Sequence, residues 1–577
     1  MMTKVAPAVV VLGQNSVAVA RKITSVLPGA TLYGLAGRTI EVDVSFSNFG
    51  ETVRELFAQG TPVIGICAAG ILIRTLAPMI SDKRQEPPVV AVAEDGSAVV
   101  PLLGGLSGVN DLARRIAKVF DVKAAITTTG DIRFRTALLS PPAGYHLANP
   151  DDAKTFISDL LAGAQVKLEG IALWLTNSQL PIDPNGNLTI KISDRLLQPT
   201  SNCLIYNPAT IAIAISEISG TEDEVLASIQ QLLTEAEIAP ASIAGVFAPL
   251  TIAANPVIHA VASALKVPTR FFTSNHLESL LTQGYSPSQA VAIAAIGTDG
   301  EVIKTEKGIA IAISPEPINP NTIGQSRGRL AVIGTGPGSL QWMSPEVKEI
   351  LKSATDLVGY TTYLNLVGSL AEGKQRHDSD NRQEISRAEM ALDLAAQGRY
   401  VAVVSSGDPG IYAMATAIFE VLDRHNKPEW DSIEIHVAPG ISAMQATAAA
   451  IGAPLGHDFC TISLSDILKP WSIIEQRIAA AAEADFAIAF YNPVSKERTW
   501  QLTEARNILL RYRTPDTPVI LGRNLGRNGQ TVKVITLEDL TPEVADMRTL
   551  IIIGSSKTKT IQRPDGNVSV YTPRHYS

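Results

Sequence analysis

Aromatic residues make up only 5% of this 577-residue sequence, and charged residues only 18%. Basic residues are in deficit, with 48 Lys and Arg against 56 Asp and Glu and a formal net charge of −8. Nucleic-acid or anionic-membrane binding needs a basic face, so this balance argues against both, although local arginine clusters can still meet a small anion. The three cysteines, Cys67, Cys203 and Cys460, lie far apart. That spacing suits neither a disulfide framework nor a zinc site, so buried reduced thiols and no metal are expected. No uninterrupted apolar run reaches roughly 18 residues, so no transmembrane helix is expected. The apolar opening at 5–12 ends within one short strand instead of forming a leader, and a cytoplasmic location is expected.

What is present is Ala, Val and Ile, within a hydrophobic share of 46%. Short Val/Ile runs alternate with Ala-rich stretches, the pattern of buried parallel strands and covering helices, so the fold class is α/β throughout. The length suggests roughly three to four domains. The first is expected over 1–140, with strands at 8–12, 62–67, 89–92, 98–102 and 124–127. A middle module over 141–205 should hold strands at 170–175 and 189–192. A third, over 206–313, should hold strands at 211–215, 243–247 and 269–272 with helices at 222–235 and 257–265. Residues 314–328 carry three prolines and two glycines and read as an extended linker. The last domain, 329–566, should hold strands at 329–333, 400–404, 433–437, 486–490, 519–521 and 550–553. Ser344-Pro345-Glu346 is a good helix start, combining a cap, a first-turn proline and an acid near the dipole's positive end.

Glycine turns follow four of these strands. The first, Gly334-Thr335-Gly336-Pro337-Gly338, could be a dinucleotide-binding loop, with Asp356 about 20 residues on as a ribose-binding acid. Against that, Ser339 occupies the third glycine position, Pro337 removes an amide, and the helix starts late. The second is Ser405-Ser406-Gly407-Asp408-Pro409-Gly410-Ile411-Tyr412. The third is Ala438-Pro439-Gly440-Ile441-Ser442-Ala443, and the fourth Tyr491-Asn492-Pro493. Singly each has an ordinary turn reading, and Asp408 suits a helix cap as well as a ligand contact. Together they stand at the carboxyl ends of successive strands, where open α/β sheets bind ligands.

In order and spacing these turns, with Arg523-Asn524-Leu525-Gly526, resemble the tetrapyrrole methylase family over 329–561, which implies a two-lobed fold. Adding Val358-Gly359-Tyr360-Thr361-Thr362-Tyr363, the match looks most like the precorrin-3B C-17 methyltransferases. That resemblance implies S-adenosyl-L-methionine as cofactor, a tetrapyrrole substrate methylated with ring contraction, and a homodimer formed through this domain. It places Gly407, Asp408, Ile411, Ser442, Ala443 and Asn492 at the cofactor, and Gly336, Pro337, Gly338, Tyr360 and Arg523 at the substrate; it names no catalytic acid or base. Lys374, Arg376, His377, Arg382, Arg387, Arg523 and Arg527 are candidate cations for the macrocycle's carboxylates, although surface charge is the commoner role of each.

The N-terminal half resembles the cobalt-precorrin-5A hydrolases, which open a lactone and release a two-carbon aldehyde. The match runs through 63–71, Leu76-Ala77-Pro78, 100–113 and Ile126-Thr127-Thr128. It departs where chemistry would sit. That family's glycine loop has a histidine where this chain has Gly105, and imidazole is the side chain best suited to general-base work near neutrality. A Gly-Cys-Arg-Arg run is missing at 213–217, a Lys and a Glu near Ile252 and Asn255, and a Glu at Gln289. A fold kept without its chemistry is expected there. Two rivals stay open: an NAD-dependent oxidoreductase built on 334–338, and an N-terminal half that only binds the macrocycle or a partner.

Overall fold

The computed structural model describes residues 6–575 except Arg84, Asn381, Arg382, Asn426, Lys496 and Asp565. Between Arg327 and Gly328 the chain divides into two compact units. Both are mixed α/β. Among the described residues, no helix is long and apolar enough to cross a membrane.

The first unit holds three sheets. One has six strands in the order Val44–Phe46, Thr31–Leu35, Ala8–Val11, Val63–Ile66, Val89–Val92, Val99–Leu103, parallel except for the last pair. Its central strands are buried along their whole length, because helices cover both faces of a parallel sheet. Val17–Val26 and Val109–Val119 pack on one face, Phe49–Ala58 and Ala69–Leu76 on the other. The second sheet runs Tyr145–Leu147, Cys203–Pro208, Leu188–Ile192, Val166–Glu169. The third runs Thr269–Phe272, Ile243–Pro249, Ile211–Ile215, Ile309–Ile313, Glu301–Glu306.

Three sequence expectations fail in this unit. Residues 124–127 form no strand; Ala124 makes one isolated bridge to Val99 at the sheet's edge. Residues 170–175 are no strand either. Gly170, at φ +94°, ends the strand Val166–Glu169, and Leu173–Thr176 is a helical turn that leaves Ile171 and Leu173 exposed. A short apolar run fits either element, and the left-handed glycine decides between them. Finally, 314–328 is not a free spacer. Ile318 is buried in the third sheet's core, and Gln325 pairs with Phe271 through both backbone groups. The Arg270 guanidinium donates to the Ile323 and Gly324 carbonyls and to Ser326 Oγ.

The second unit has two lobes. In the first, five parallel strands run Gln375–Ser379, Asp356–Tyr360, Tyr400–Ser405, Arg329–Gly334, Glu434–Ala438. Pro345–Ser353 packs on one face, starting where the sequence predicts, with Ser344 Oγ accepting from the Val347 amide at 3.2 Å. Glu384–Ala396 and Met414–Arg424 cover the other. In the second lobe a mixed sheet runs Phe459–Ser463, Ala487–Tyr491, Thr549–Ile553, Pro518–Arg523, Thr531–Thr536. Trp471–Glu483 and Trp500–Leu509 cover one face and Ala443–Ile451 the other.

Because the second unit has its own sheets and cores, residues 328–577 expressed alone should fold. The expected result is one cooperative urea transition matching the second unit's transition in the full chain; an unfolded fragment would show that the boundary is misplaced.

Candidate active site

A cavity of about 530 Å³ opens in the second unit and is walled by both lobes. Its size falls within the usual range for a small-molecule site, about 300–1,000 Å³. The first lobe contributes Pro337, Tyr360, Tyr363 and the turn Ser405–Met414, and the second contributes Tyr491, Asn492 and 547–550.

The turn architecture rests on backbone-to-backbone packing. A Cβ on Gly334 would lie 2.5 Å from the Gly407 carbonyl oxygen and 2.8 Å from the Gly440 nitrogen. A Cβ on Gly440 would lie 2.2 Å from that same oxygen. Gly336 and Gly407 exchange backbone hydrogen bonds of 3.2 and 2.8 Å. Asp408 closes the arrangement, its Oδ1 accepting from the Gly410 amide at 2.8 Å and its Oδ2 from the Gly440 amide at 3.2 Å. Asp408 therefore ties the second turn to the third instead of capping the helix, whose N-cap is Ala413. Gly407 differs from its neighbours: φ is +70° and its Cβ position meets only Ser442 and Ala443, at 3.8 Å or more.

Beside this turn, Ser442 caps the helix Ala443–Ile451 in a capping box with Gln445. Asn492, at φ +51°, donates from Nδ2 to Ser463 Oγ at 3.1 Å. Gly407, Asp408, Ile411, Ser442, Ala443 and Asn492 all line the cavity. So does Ser405, whose buried Oγ has no hydrogen-bond partner. A buried unpartnered hydroxyl is costly, typically about 1–3 kcal/mol.

The substrate candidates divide. Pro337 and Tyr360 line the cavity; Gly336, Gly338 and Arg523 do not. Gly336 is spent on pairing with Gly407. Gly338 makes room for the Arg527 side chain, whose Cγ would lie 2.4 Å from its Cβ. Arg523 is paired with Asp546 at 2.9 Å, a contact that a strand-end arginine does not reveal in sequence. Of the other cations, Lys374 donates to the Lys352 and Ala354 carbonyls, Arg376 pairs with Asp378, and His377 meets Asp356. Arg382 lies outside the described residues. Arg387 and Arg527 reach the cavity, joined by Arg548, which the sequence reading missed. Burial pushes the Tyr363 phenol above its usual range, although the nearby Arg527 and Arg387 guanidiniums pull the other way.

The dinucleotide reading loses its two supports. Asp356 is fully buried, its Oδ1 accepting from His377 at 2.8 Å and Arg399 at 2.9 Å. The 334–338 loop opens no helix, and Gly334 is enclosed by the other two turns instead of facing a phosphate.

A cleft at strand ends between two α/β lobes defines a ligand-binding enzyme of the open-sheet kind. Residues 329–541 match the Tetrapyrrole (Corrin/Porphyrin) Methylases, and residues 51–131 match the family described as Cobalamin synthesis G N-terminal. A precorrin-3B C(17)-methyltransferase of Sinorhizobium sp. is 48% identical over 250 residues, 43% of this chain and 98% of that protein. The cobalamin biosynthesis protein CobIJ of Mycobacterium tuberculosis is 48% identical over 254 residues, 43% of this chain and 48% of that protein. The chain thus spans about half the length of the CobIJ proteins it matches. The crystal structure of the methyltransferase CobJ is 48% identical and covers 43% of this chain and 100% of that one, with a TM-score of 0.40. The chain belongs to the tetrapyrrole methylase family.

Gly440→Ala should destabilise the second unit by about 3 kcal/mol, the upper end of overpacking costs, because the obstructing atoms are backbone. Urea denaturation checks this. A loss under about 0.5 kcal/mol would show that the three turns can separate freely.

Proposed function

We propose that residues 328–577 transfer a methyl group from S-adenosyl-L-methionine to C-17 of precorrin-3B, or of cobalt-factor III, with contraction of the macrocycle, in cobalamin biosynthesis. The observation that carries this reading is the match over 98% of a precorrin-3B C(17)-methyltransferase. The cavity's chemistry supports it. Gly407 leaves an open face, and Ser442, Ala443 and Asn492 complete one wall. When bound, the sulfonium supplies an already activated methyl group and leaves as a thioether. What remains for the protein is positioning and exclusion of water, which carry most of the acceleration in such a displacement. Tyr360, Tyr363, Tyr412 and Tyr491 supply that wall, with Tyr412 and Tyr491 ring centroids 5.2 Å apart.

The first unit, in this proposal, keeps the hydrolase-like fold without lactone hydrolysis. Residues standing where that family has polar groups are used structurally. Ile211–Ile215 is wholly buried, Asn255 Oδ1 accepts from the Val257 amide, and Gln289 completes a capping box with Ser286. Gly105 has nothing within 4 Å of its Cβ position. Homodimerisation through the second unit and a cytoplasmic location belong to the same reading. The exposed Ile467 and Leu468 and the three free cysteines support them.

Mass spectrometry of products from purified protein, with S-adenosyl-L-methionine and the metal-free or cobalt-bearing substrate, tests the central claim. A methylated, ring-contracted product is expected; S-adenosyl-L-methionine binding without any methylated product would sink it. Asp408→Ala should weaken S-adenosyl-L-methionine binding about tenfold, or ~1.4 kcal/mol, because it releases the second turn from the third. Wild-type affinity in calorimetry would remove that turn from the cofactor site.

Residues 1–327 should release acetaldehyde from the cobalt-bearing lactone at least about a hundredfold more slowly than a homologue with the loop histidine, the usual cost of a lost general base. Equal rates would show that Gly105 is not at the catalytic position.

A further inference from the structure

When a ring carbon takes a methyl group, its own electron pair forms the new C–C bond and the sulfonium's S–C pair stays behind on sulfur. The macrocycle then carries one positive charge more than before. Contraction moves bonds within the macrocycle and leaves that balance unchanged, so a proton has to leave. A base placed to take it typically accelerates such a step about a hundredfold to ten-thousandfold. The cavity wall offers few candidates. The described residues that line it include no histidine or lysine, and a guanidinium is not deprotonated in a protein. Phenols keep their proton near neutrality, and burial raises Tyr363 and Tyr491 further. Two carboxylates remain on the described wall, Asp408 and Glu384.

The two are placed differently. Asp408 spends both oxygens on backbone amides, those of Gly410 at 2.8 Å and Gly440 at 3.2 Å. A proton on either oxygen would loosen the tie between the second and third turns. Glu384 opens the helix Glu384–Ala396, is exposed to solvent, and makes no hydrogen bond or ion pair with another described residue. Its charge reaches the Tyr363 phenol and the Arg387 guanidinium on the same wall. Exposure suits a base, because the proton taken up in each turnover has to be handed on to water before the next.

We propose that Glu384 is the general base of the reaction, taking the proton that the macrocycle sheds and passing it to water at the cavity's edge. This rests on the methyltransferase reading for the reaction itself. The choice between the two carboxylates comes from their hydrogen bonds: one holds the turns together, and the other has its oxygens open to the cavity and to solvent.

The test measures methylated product from the full-length protein, with S-adenosyl-L-methionine and whichever of precorrin-3B and cobalt-factor III it methylates, alongside calorimetry with S-adenosyl-L-methionine. Glu384→Gln should lower kcat at least about a hundredfold, while the KM for the macrocycle and the affinity for S-adenosyl-L-methionine stay within about twofold. Glu384→Asp should keep part of the rate, because the carboxylate is retained and only its reach is shortened. In Glu384→Ala, added formate should restore activity in proportion to its concentration, a rescue that a purely structural role would not show. The position is exposed, so these variants should fold as the wild type does. A Glu384→Gln rate within about threefold of wild type overturns the proposal. So does a loss in Glu384→Ala that formate leaves untouched and Glu384→Asp fully shares. A wild type that methylates neither macrocycle overturns this assignment together with the methyltransferase reading, whereas a methylating wild type beside an equally active Glu384→Gln overturns this assignment alone.

Discussion

Everything in the second unit's site depends on three backbone turns packed directly against each other, with the Pro409 ring wedged among them. Gly334, Gly407 and Gly440 lie at the ends of three neighbouring strands of one parallel sheet; peptide groups of the other turns fill the space at Gly334 and Gly440, while Gly407 keeps an open face. Since peptide planes are stiff and Gly334 and Gly440 leave no gap, the turns hold one mutual geometry. Asp408 spans two of them with both carboxylate oxygens. Around this fixed point the cavity can be lined by loops and still be well defined.

The two lobes contribute differently. The first lobe's sheet is wholly parallel, so all its carboxyl ends gather on one side and supply turns and amides. The second lobe's mixed sheet alternates strand directions. It supplies Asn492, Asn524, Arg527 and Arg548 to the cavity, and Tyr491 Oη accepts from the Met444 amide at 3.3 Å. Polar groups and enclosure thus come from both lobes.

Ile211–Ile215, Glu222–Glu235 and Thr269–Phe272 lie where the sequence places them, whereas the equally buried strands Cys203–Pro208 and Ile309–Ile313 were missed. Edge strands escaped notice because half of each faces solvent and reads as polar. Glu301–Glu306 is one, and its hairpin turns at Lys307-Gly308, where a lysine at φ +45° hides the usual turn signal. At the site, motif glycines marked the right strand ends, but their physical reason was different from the expected one. Gly334 and Gly440 serve turn-to-turn contact; Gly407 alone has an open face. The division of the arginines could not be seen at all, since whether Arg523 finds Asp546 or Arg387 finds the neutral Ser379 hydroxyl is decided by tertiary neighbours. Arg548 carries no motif, so nothing in the sequence pointed to it.

The empty surroundings of Gly105 bear on the history of the first unit. Its neighbour Gly104, at φ +81°, presses against the Pro87 carbonyl and is locked in by the fold, whereas Gly105 touches nothing. Folding therefore exerts no pull on that position: residues of many sizes can occupy it, be lost and be replaced without the core registering the change. A catalytic side chain housed in such a spot is protected by its chemistry alone. Once selection for that chemistry lapses, the residue drifts at once, while the surrounding sheet, still needed as a packed body, persists with its outline intact.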